Sequence, residues 1–208
     1  MIDKICEIIT KRIRKQMPEI DNQRAEVIMY GLQLIIGEIP KILLLFVTAI
    51  MLKIGWLVIF AYVTMLPYKI AAGGFHLKTH IGCTIGTFIV YFGNVLISKY
   101  LIIQPNSIKY ISILLIWIFS IIMITLYAPA DTINVPILRK EERKLKKILS
   151  YIFATIELSI ALILKDSTLA NILIFNVLIE SICISKLAYK ITKNEYGDTT
   201  YAEQKSLS

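Results

Sequence analysis

The sequence predicts an all-α membrane protein: a polytopic transmembrane helical bundle of about six spans, preceded by an N-terminal amphipathic interfacial helix. Three observations carry this reading. Apolar residues make up 56% of the 208-residue chain and charged residues only 18%, against about 45–50% and about 25% in soluble domains. Mean hydropathy is +0.67. The apolar residues fall in blocks near the roughly 20 residues a helix needs to cross a bilayer. Disordered, collagen-like and disulfide-knot classes are excluded, as is an ordinary cytosolic enzyme.

The elements follow in order. Over 2–17, Ile2, Ile5, Cys6, Ile9, Ile13 and Met17 share one helical face, and Lys4, Glu7, Lys11, Arg12, Arg14 and Lys15 fill the other. A basic amphipathic helix of this kind lies in the headgroup plane; a cap packed on cytosolic loops is the plainer alternative. Pro18 ends it, and Asp21 or Asn22 caps the next helix. Charge continues from Asp3 to Glu26 before any apolar run, so no cleaved signal peptide is expected. Spans are expected at 26–52, interrupted by Glu38, Pro40 and Lys41 with a kink at Pro40, then at 54–72, 82–103, 107–127, 148–164 and 169–188. A polar segment fills 128–147, and the tail beyond 190 is polar and expected to be mobile.

The net charge of +8 suits an anionic membrane surface, and the apolar content decides for the membrane over nucleic acid. Cys6, Cys83 and Cys183 are too few and too scattered for a disulfide framework. With six spans and the N-terminus inside, eighteen of the 23 Lys and Arg fall in inside segments, four in outside turns and Lys41 within a span. The positive-inside rule then sets both termini in the cytosol.

Chemically capable side chains concentrate between the second and third expected spans. Residues 68–83 read Tyr-Lys-Ile-Ala-Ala-Gly-Gly-Phe-His-Leu-Lys-Thr-His-Ile-Gly-Cys and hold both histidines, His76 and His80, with Cys83. A thiolate is a nucleophile and a neighbouring His can take its proton. His80 and Cys83 are helical neighbours at i,i+3. His76 is about 10 Å from Cys83 along a continuous helix and reaches it only if the chain turns back, which Gly73, Gly74 and Gly82 permit. The bland alternative is an interfacial loop with polar tips. A metal site at His76, His80 and Cys83 lacks the Glu that a zinc-protease motif requires. Cys6 and Cys183 read as small apolar fillers.

Ionisable residues inside spans usually have partners or functions. Glu38 and Lys41 can neutralise each other at i,i+3, and Gln33 shares their span. Glu157 and Glu180 are unpaired within their own spans; each can orient a histidine, meet a Lys from another span or line a groove. The stretch Arg139–Lys147 retains its loop inside, and Lys144, Lys146 and Lys147 can also cradle an acidic peptide.

Gly74-Phe75-His76 followed by Cys83, Lys69 ahead of them, and Ala128-Pro129-Ala130-Asp131-Thr132 with Pro136-Ile137 resemble the accessory gene regulator protein B family. The resemblance runs over about 1–190. It implies a membrane cysteine endopeptidase that processes a quorum-sensing pro-peptide, with His76 as general base and Cys83 as nucleophile. Gly74, Lys69, Asp131, Gln33, Glu38, Lys144, Lys146 and Lys147 become supporting or substrate-binding positions. Lys69 stands where members often have Arg, and keeps the charge without the bidentate fork. Leu77 stands where many have Ala. The expected organisation is 1–20 interfacial helix, 21–190 membrane peptidase domain and 191–208 tail. No cofactor and no metal are expected. The partners implied are a small precursor peptide and the lipid bilayer, with a homodimer left open, in the bacterial cell membrane. A small peptide transporter with Glu38, Glu157 and Glu180 along its path is the competing reading, and a non-catalytic scaffold is the third.

Orientation is directly testable. In a background without native cysteines, single cysteines at His80, Lys140 and Thr200 should label from the cytosolic side, and those at Ile54, Pro105 and Asp166 from outside. A reporter at Ile54 that labels from the cytosol would show that the first helix does not cross.

Overall fold

A computed structural model of the chain describes residues 2–17, 20–75, 77, 79–101, 106–132, 137, 139–194 and 196. These form eight helices: α1 Ile2–Gln16, α2 Asn22–Met51, α3 Gly55–Ala72, α4 His80–Tyr100, α5 Asn106–Tyr127, α6 Lys140–Ile163, α7 Ser167–Cys183 and α8 Lys186–Thr192. The β-structure among the described residues is two isolated bridges. The chain divides into two units, Met1–Gly55 and Trp56–Ser208.

In the first unit α1 packs on α2. α1 has the expected amphipathic form: Cys6 and Thr10 are buried, while Glu7 and Lys11 pair at 2.6 Å on the exposed side. Asp21 caps α2 by accepting from the Arg24 N–H at 2.7 Å. Pro40 lies inside α2. One helical turn there pairs Lys41 with Glu38 at 2.5 Å, so the two interrupting charges neutralise each other as the spacing required.

In the second unit α7 is the central element. It packs against α4, α5, α6 and α8, and Ala170, Ile172, Leu173, Ile174 and Val177 are all buried. Apolar burial does not hold helices together in lipid, because lipid tails are equally apolar; close packing and interhelical hydrogen bonds do that work. The structure supplies such bonds at Asn176. Its Nδ2 donates to Thr64 Oγ1 at 2.9 Å, Ala61 O at 3.2 Å and Glu157 Oε1 at 2.8 Å. Its Oδ1 accepts from Asn94 Nδ2 at 2.7 Å. Ser98 donates to Asn94 at 3.0 Å, and Asn171 donates to the Leu101 carbonyl at 2.7 Å. One connected set of polar side chains therefore ties α3, α4, α6 and α7. At the other end Tyr68 of α3 meets Ser181 of α7 at 3.0 Å.

Among the described residues, three helical segments are long and apolar enough to cross a membrane: Gly55–Ala72, Ile81–Tyr100 and Ser107–Tyr127. The pair α7–α8, bent by 67°, makes a fourth if it is one broken span. The other helices in expected span positions carry charge: α2 holds Arg24, Glu26, Glu38 and Lys41, and α6 opens with Lys140–Lys147. Two boundaries differ from the sequence expectation. Helix α6 starts eight residues before 148, because Glu141 and Glu142 in its first turn suit the positive end of a helix. The single span expected at 169–188 is broken at Ser185, whose hydroxyl starts a new helix by accepting from the Ala188 N–H at 3.3 Å.

Asn176 gives the fold its test. Asn176→Ala leaves four partner groups short of a bond and should cost about 2 kcal/mol, read as a fall in the unfolding midpoint of the detergent-solubilised protein. An unchanged midpoint would show that the network contributes nothing net.

Candidate active site

The site is built on a turn. α3 ends at Ala72, and Gly73 and Gly74 follow with φ of 82° and 139°, a region open to glycine and rarely to other residues. There the chain meets the Ala128–Thr132 loop. The Ala130 N–H donates to Ala72 O at 2.7 Å, and the Gly74 N–H donates to Ala130 O at 2.8 Å. A Cβ on Gly73 would stand 2.4 Å from Ala130 O, so the approach admits only glycine. The two segments singled out in the sequence, far apart in the chain, are thus joined backbone to backbone.

The loop is fastened from behind. The Asp131 side chain is 2% exposed and accepts from Arg143 Nη1 at 2.7 Å and Nη2 at 3.3 Å. The same carboxylate accepts from the Ile137 N–H at 2.7 Å. Its oxygens are engaged, so Asp131 is a supporting residue that anchors the loop to α6. Tyr189 donates to Ala130 O at 2.8 Å and Asp131 O at 3.2 Å. Tyr196 stacks on Tyr189 at 3.9 Å and donates to Ile184 O at 2.9 Å. Burial and the neighbouring Tyr127 push the Tyr196 hydroxyl above its ordinary range, so it stays protonated as a donor. Sequence reasoning missed both tyrosines. Within the tail expected from 191, α8 continues to Thr192 and Tyr196 stacks on Tyr189; residues 195 and 197–208 of it lie outside the described residues.

Cys83 is half-buried in the first turns of α4, where Thr79 caps the helix by accepting from the Gly82 N–H at 3.0 Å. A Cβ on Gly82 would lie 3.7 Å from the Leu77 side chain, and one on Gly86 would lie 3.3 Å from it. In a continuous helix, residues 77 and 86 would be about 13 Å apart along the axis. The chain therefore turns back before α4 and lays Leu77 on the small-residue face Gly82/Gly86, flanking Cys83. This reversal is the one that a reach from His76 to Cys83 requires. His76 itself lies outside the described residues; His80 opens α4, its side chain outside them.

Charge gathers behind the turn. Glu180 of α7 is fully buried, and neither of its carboxylate oxygens has a hydrogen-bond partner among the described residues. A Cβ on Gly74 would lie 3.6 Å from Glu180 Oε1 and 4.0 Å from Cys183 Cβ. Lys69, at the end of α3, is exposed. Cys183, read from the sequence as a filler, borders the same cluster; no sequence neighbour marked it.

The remaining expected positions are dispersed. Gln33 and Glu38 belong to α2 in the first unit; the Gln33 side chain is outside the described residues and Glu38 is paired with Lys41. The basic stretch is less open than its charge suggests. Arg143 is committed to Asp131, Lys146 pairs with Glu142 at 3.2 Å, and Lys147 donates to Thr125 O at 2.7 Å. Lys144 is exposed, with Arg139 and Lys140. Glu157 and Glu180 are buried among helices of the second unit, which is unlike the lining of an open transport path.

The Gly73–Ala130 junction yields a prediction. Gly73→Ala forces a Cβ into a backbone carbonyl at a positive φ and should cost about 3 kcal/mol or more. Loop 128–132 should then become accessible to limited proteolysis in the membrane-inserted protein. A variant with parental protease resistance would show that the two segments are held by other contacts.

The family model Accessory gene regulator B matches residues 6–184. The chain is 27% identical over 183 residues to accessory gene regulator protein B of Staphylococcus aureus, covering 88% of this chain and 91% of that protein. It is 24% identical over 175 residues to a putative AgrB-like protein of Listeria monocytogenes, covering 81% and 80%. A Clostridium perfringens protein of the same description is 26% identical over 151 residues, covering 71% and 70%. No solved structure matches. The matched region takes in most of α1, the glycine turn, Cys83 and the Asp131 loop, and the chain belongs to the accessory gene regulator B family.

Proposed function

We propose that this chain is a membrane cysteine endopeptidase of a bacterial quorum-sensing system, one that removes the C-terminal tail of a small precursor peptide and promotes its closure to a cyclic pheromone. Family membership supports the quorum-sensing role. The observation that carries the chemistry is the reversal of the chain that lays Leu77 along Gly82 and Gly86 beside Cys83, since it allows a histidine seven residues before the cysteine to serve it.

His76 takes the proton of the Cys83 thiol, and the sulfur attacks a carbonyl carbon of the precursor. The tetrahedral oxyanion forms beside the first turn of α4, whose positive dipole end favours negative charge. The C–N bond breaks, His76 returns its proton to the leaving amine, and an acyl-thioester remains on Cys83. A nucleophile within the peptide then displaces Cys83, giving a thiolactone from a cysteine or a lactone from a serine, and the Cys83 thiol is regained. The second step exchanges one ester-like bond for another. The first is the demanding one, because an amide is more stable than a thioester. Water must be kept from the intermediate, and the half-buried place of Cys83 at a membrane helix end serves that need.

In this reading the site faces the cytosol, on the side set by the Lys and Arg distribution. The precursor is the partner, and the exposed Arg139, Lys140 and Lys144 meet its acidic tail. Exposed pairs contribute about 0–1 kcal/mol each, so they act on encounter, and added salt removes the effect.

Substitution separates the roles. Cys83→Ala and His76→Ala should each abolish precursor cleavage without loss of membrane insertion, whereas His80→Ala should retain substantial activity. Cleavage by Cys83→Ala protein, or loss of activity in His80→Ala with His76→Ala active, overturns the assignment.

A further inference from the structure

We infer that Tyr196 is a positioning residue of the Cys83 centre: the chain beyond α8 folds back and, through Tyr189 and Ala130, fixes the Gly73–Gly74 turn that leads to His76. The inference rests on the peptidase reading above and deepens it. Both tyrosines lie beyond residue 184, where the family match ends.

Ala130 O is the pivot. A carbonyl oxygen has two acceptor sites, and this one takes the Gly74 N–H at 2.8 Å and the Tyr189 hydroxyl at 2.8 Å. Tyr189 also donates to Asp131 O at 3.2 Å, so one phenol grips two successive carbonyls of the loop. Tyr189 and Ala130 are both buried, and bulk water does not compete for that oxygen. A Cβ on Gly73 would stand 2.4 Å from it. The oxygen lies that close against the turn, so a shift of Ala130 is a shift of Gly73 and Gly74.

Tyr196 holds Tyr189 to this task. Lys193 takes a left-handed conformation with φ of 54° at the end of α8, and the Asn194 N–H donates to Tyr189 O at 2.9 Å. The chain then returns to the loop. Tyr196 pairs with Thr132 in an antiparallel bridge. Its ring stacks on Tyr189 at 3.9 Å and 5°, and lies within 12° of parallel to Tyr127 at 6.1 Å. Its hydroxyl donates to Ile184 O at 2.9 Å. One residue thus meets Tyr127 just before the loop, Thr132 at its end, and the ring whose hydroxyl holds its middle. Without Tyr196, the Tyr189 ring loses a packed face and its hydroxyl can swing from the two carbonyls.

The chemistry needs the turn fixed. His76 serves Cys83 only while the chain reverses between them, and glycine leaves one backbone conformation for another more readily than any other residue. A general base must stand about 2.6–3.2 Å from the group it deprotonates, so a drift of about 1 Å costs much of its effect. Tyr196 touches neither sulfur nor peptide and acts through Tyr189.

Two readouts on the full-length protein in lipid vesicles test this: hydrogen–deuterium exchange in peptides spanning Gly74, and alkylation of Cys83 by iodoacetamide, mapped by mass spectrometry, with His76→Ala as the reference. Tyr189→Phe removes one hydroxyl and Tyr196 follows α8, so both sets of variants keep the helices. Tyr189→Phe and Tyr196→Ala should each speed exchange at Gly74 about tenfold and slow alkylation at neutral pH about tenfold, toward the His76→Ala rate. A thiol ionises without a base near pH 10, so there every variant should react at the parental rate. Tyr196→Phe keeps the stack and should keep most of the parental behaviour. The double variant Tyr189→Phe/Tyr196→Ala should be no worse than the worse single one, because the two act along one path. Parental exchange at Gly74 in Tyr189→Phe and Tyr196→Ala overturns the proposal, as does faster exchange with parental alkylation. Slowing that persists near pH 10 also overturns it, since that reports lost access and not a displaced base. A parental alkylation rate in His76→Ala strikes the peptidase reading, and the positioning role with it; a slowed His76→Ala beside parental tyrosine variants strikes the positioning role alone.

Discussion

Two backbone hydrogen bonds, from Ala130 N–H to Ala72 O and from Gly74 N–H to Ala130 O, fix the ground on which the rest of the site stands. Side chains at a membrane surface are easily rearranged, but a backbone pair at 2.7–2.8 Å sets the positions of two chain segments at once. The demand it makes is steric: Ala130 O can approach only a residue without a Cβ. Gly73 meets that demand. The loop in turn is fixed by Arg143 on Asp131 and by Tyr189 on its two carbonyls. The turn before His76 is therefore braced by α6 and α8 as well as by the end of α3.

A second constraint acts deeper. In a bilayer, polar groups find no water, so each must be satisfied within the protein. Asn94, Asn171 and Asn176 with Ser98, Thr64 and Glu157 convert that demand into helix pairing. The apolar faces of α3, α4 and α5 carry little of this specificity; much of their Ile, Leu and Val surface is exposed on the bare chain and suits lipid. Stability in the second unit thus comes from a few polar residues in an apolar sequence, each worth on the order of 1 kcal/mol but linked.

The same physics gives the charges different weights. Lys146 pairs with Glu142 on its own helix and Lys147 donates to the Thr125 carbonyl of α5, at places where charge contributes little to stability. Glu180 is buried without a hydrogen-bond donor among the described residues. The sequence read the basic stretch as one feature, yet Arg143 is its structural member: a guanidinium fork on a carboxylate that is 2% exposed. Counting Lys and Arg gives orientation; it does not say which of them are engaged.

The sequence alone determined the helical membrane class, the amphipathic first helix, the cap at Asp21 and the Glu38–Lys41 pair, and it singled out residues 68–83 and 128–132. These follow from composition, 3.6-residue periodicity and local spacing, which are properties of neighbouring residues. Even there, the start of α6 and the break at Ser185 were missed, because a short charged run can join a helix and a serine can restart one. What only the tertiary structure decided are the contacts between distant segments. Gly73 against Ala130, Leu77 against Gly82 and Gly86, Glu180 behind Gly74, and Tyr196 on Tyr189 leave no periodic signal. Each depends on where two helices end relative to one another, and that is set by the packing of the whole second unit around α7.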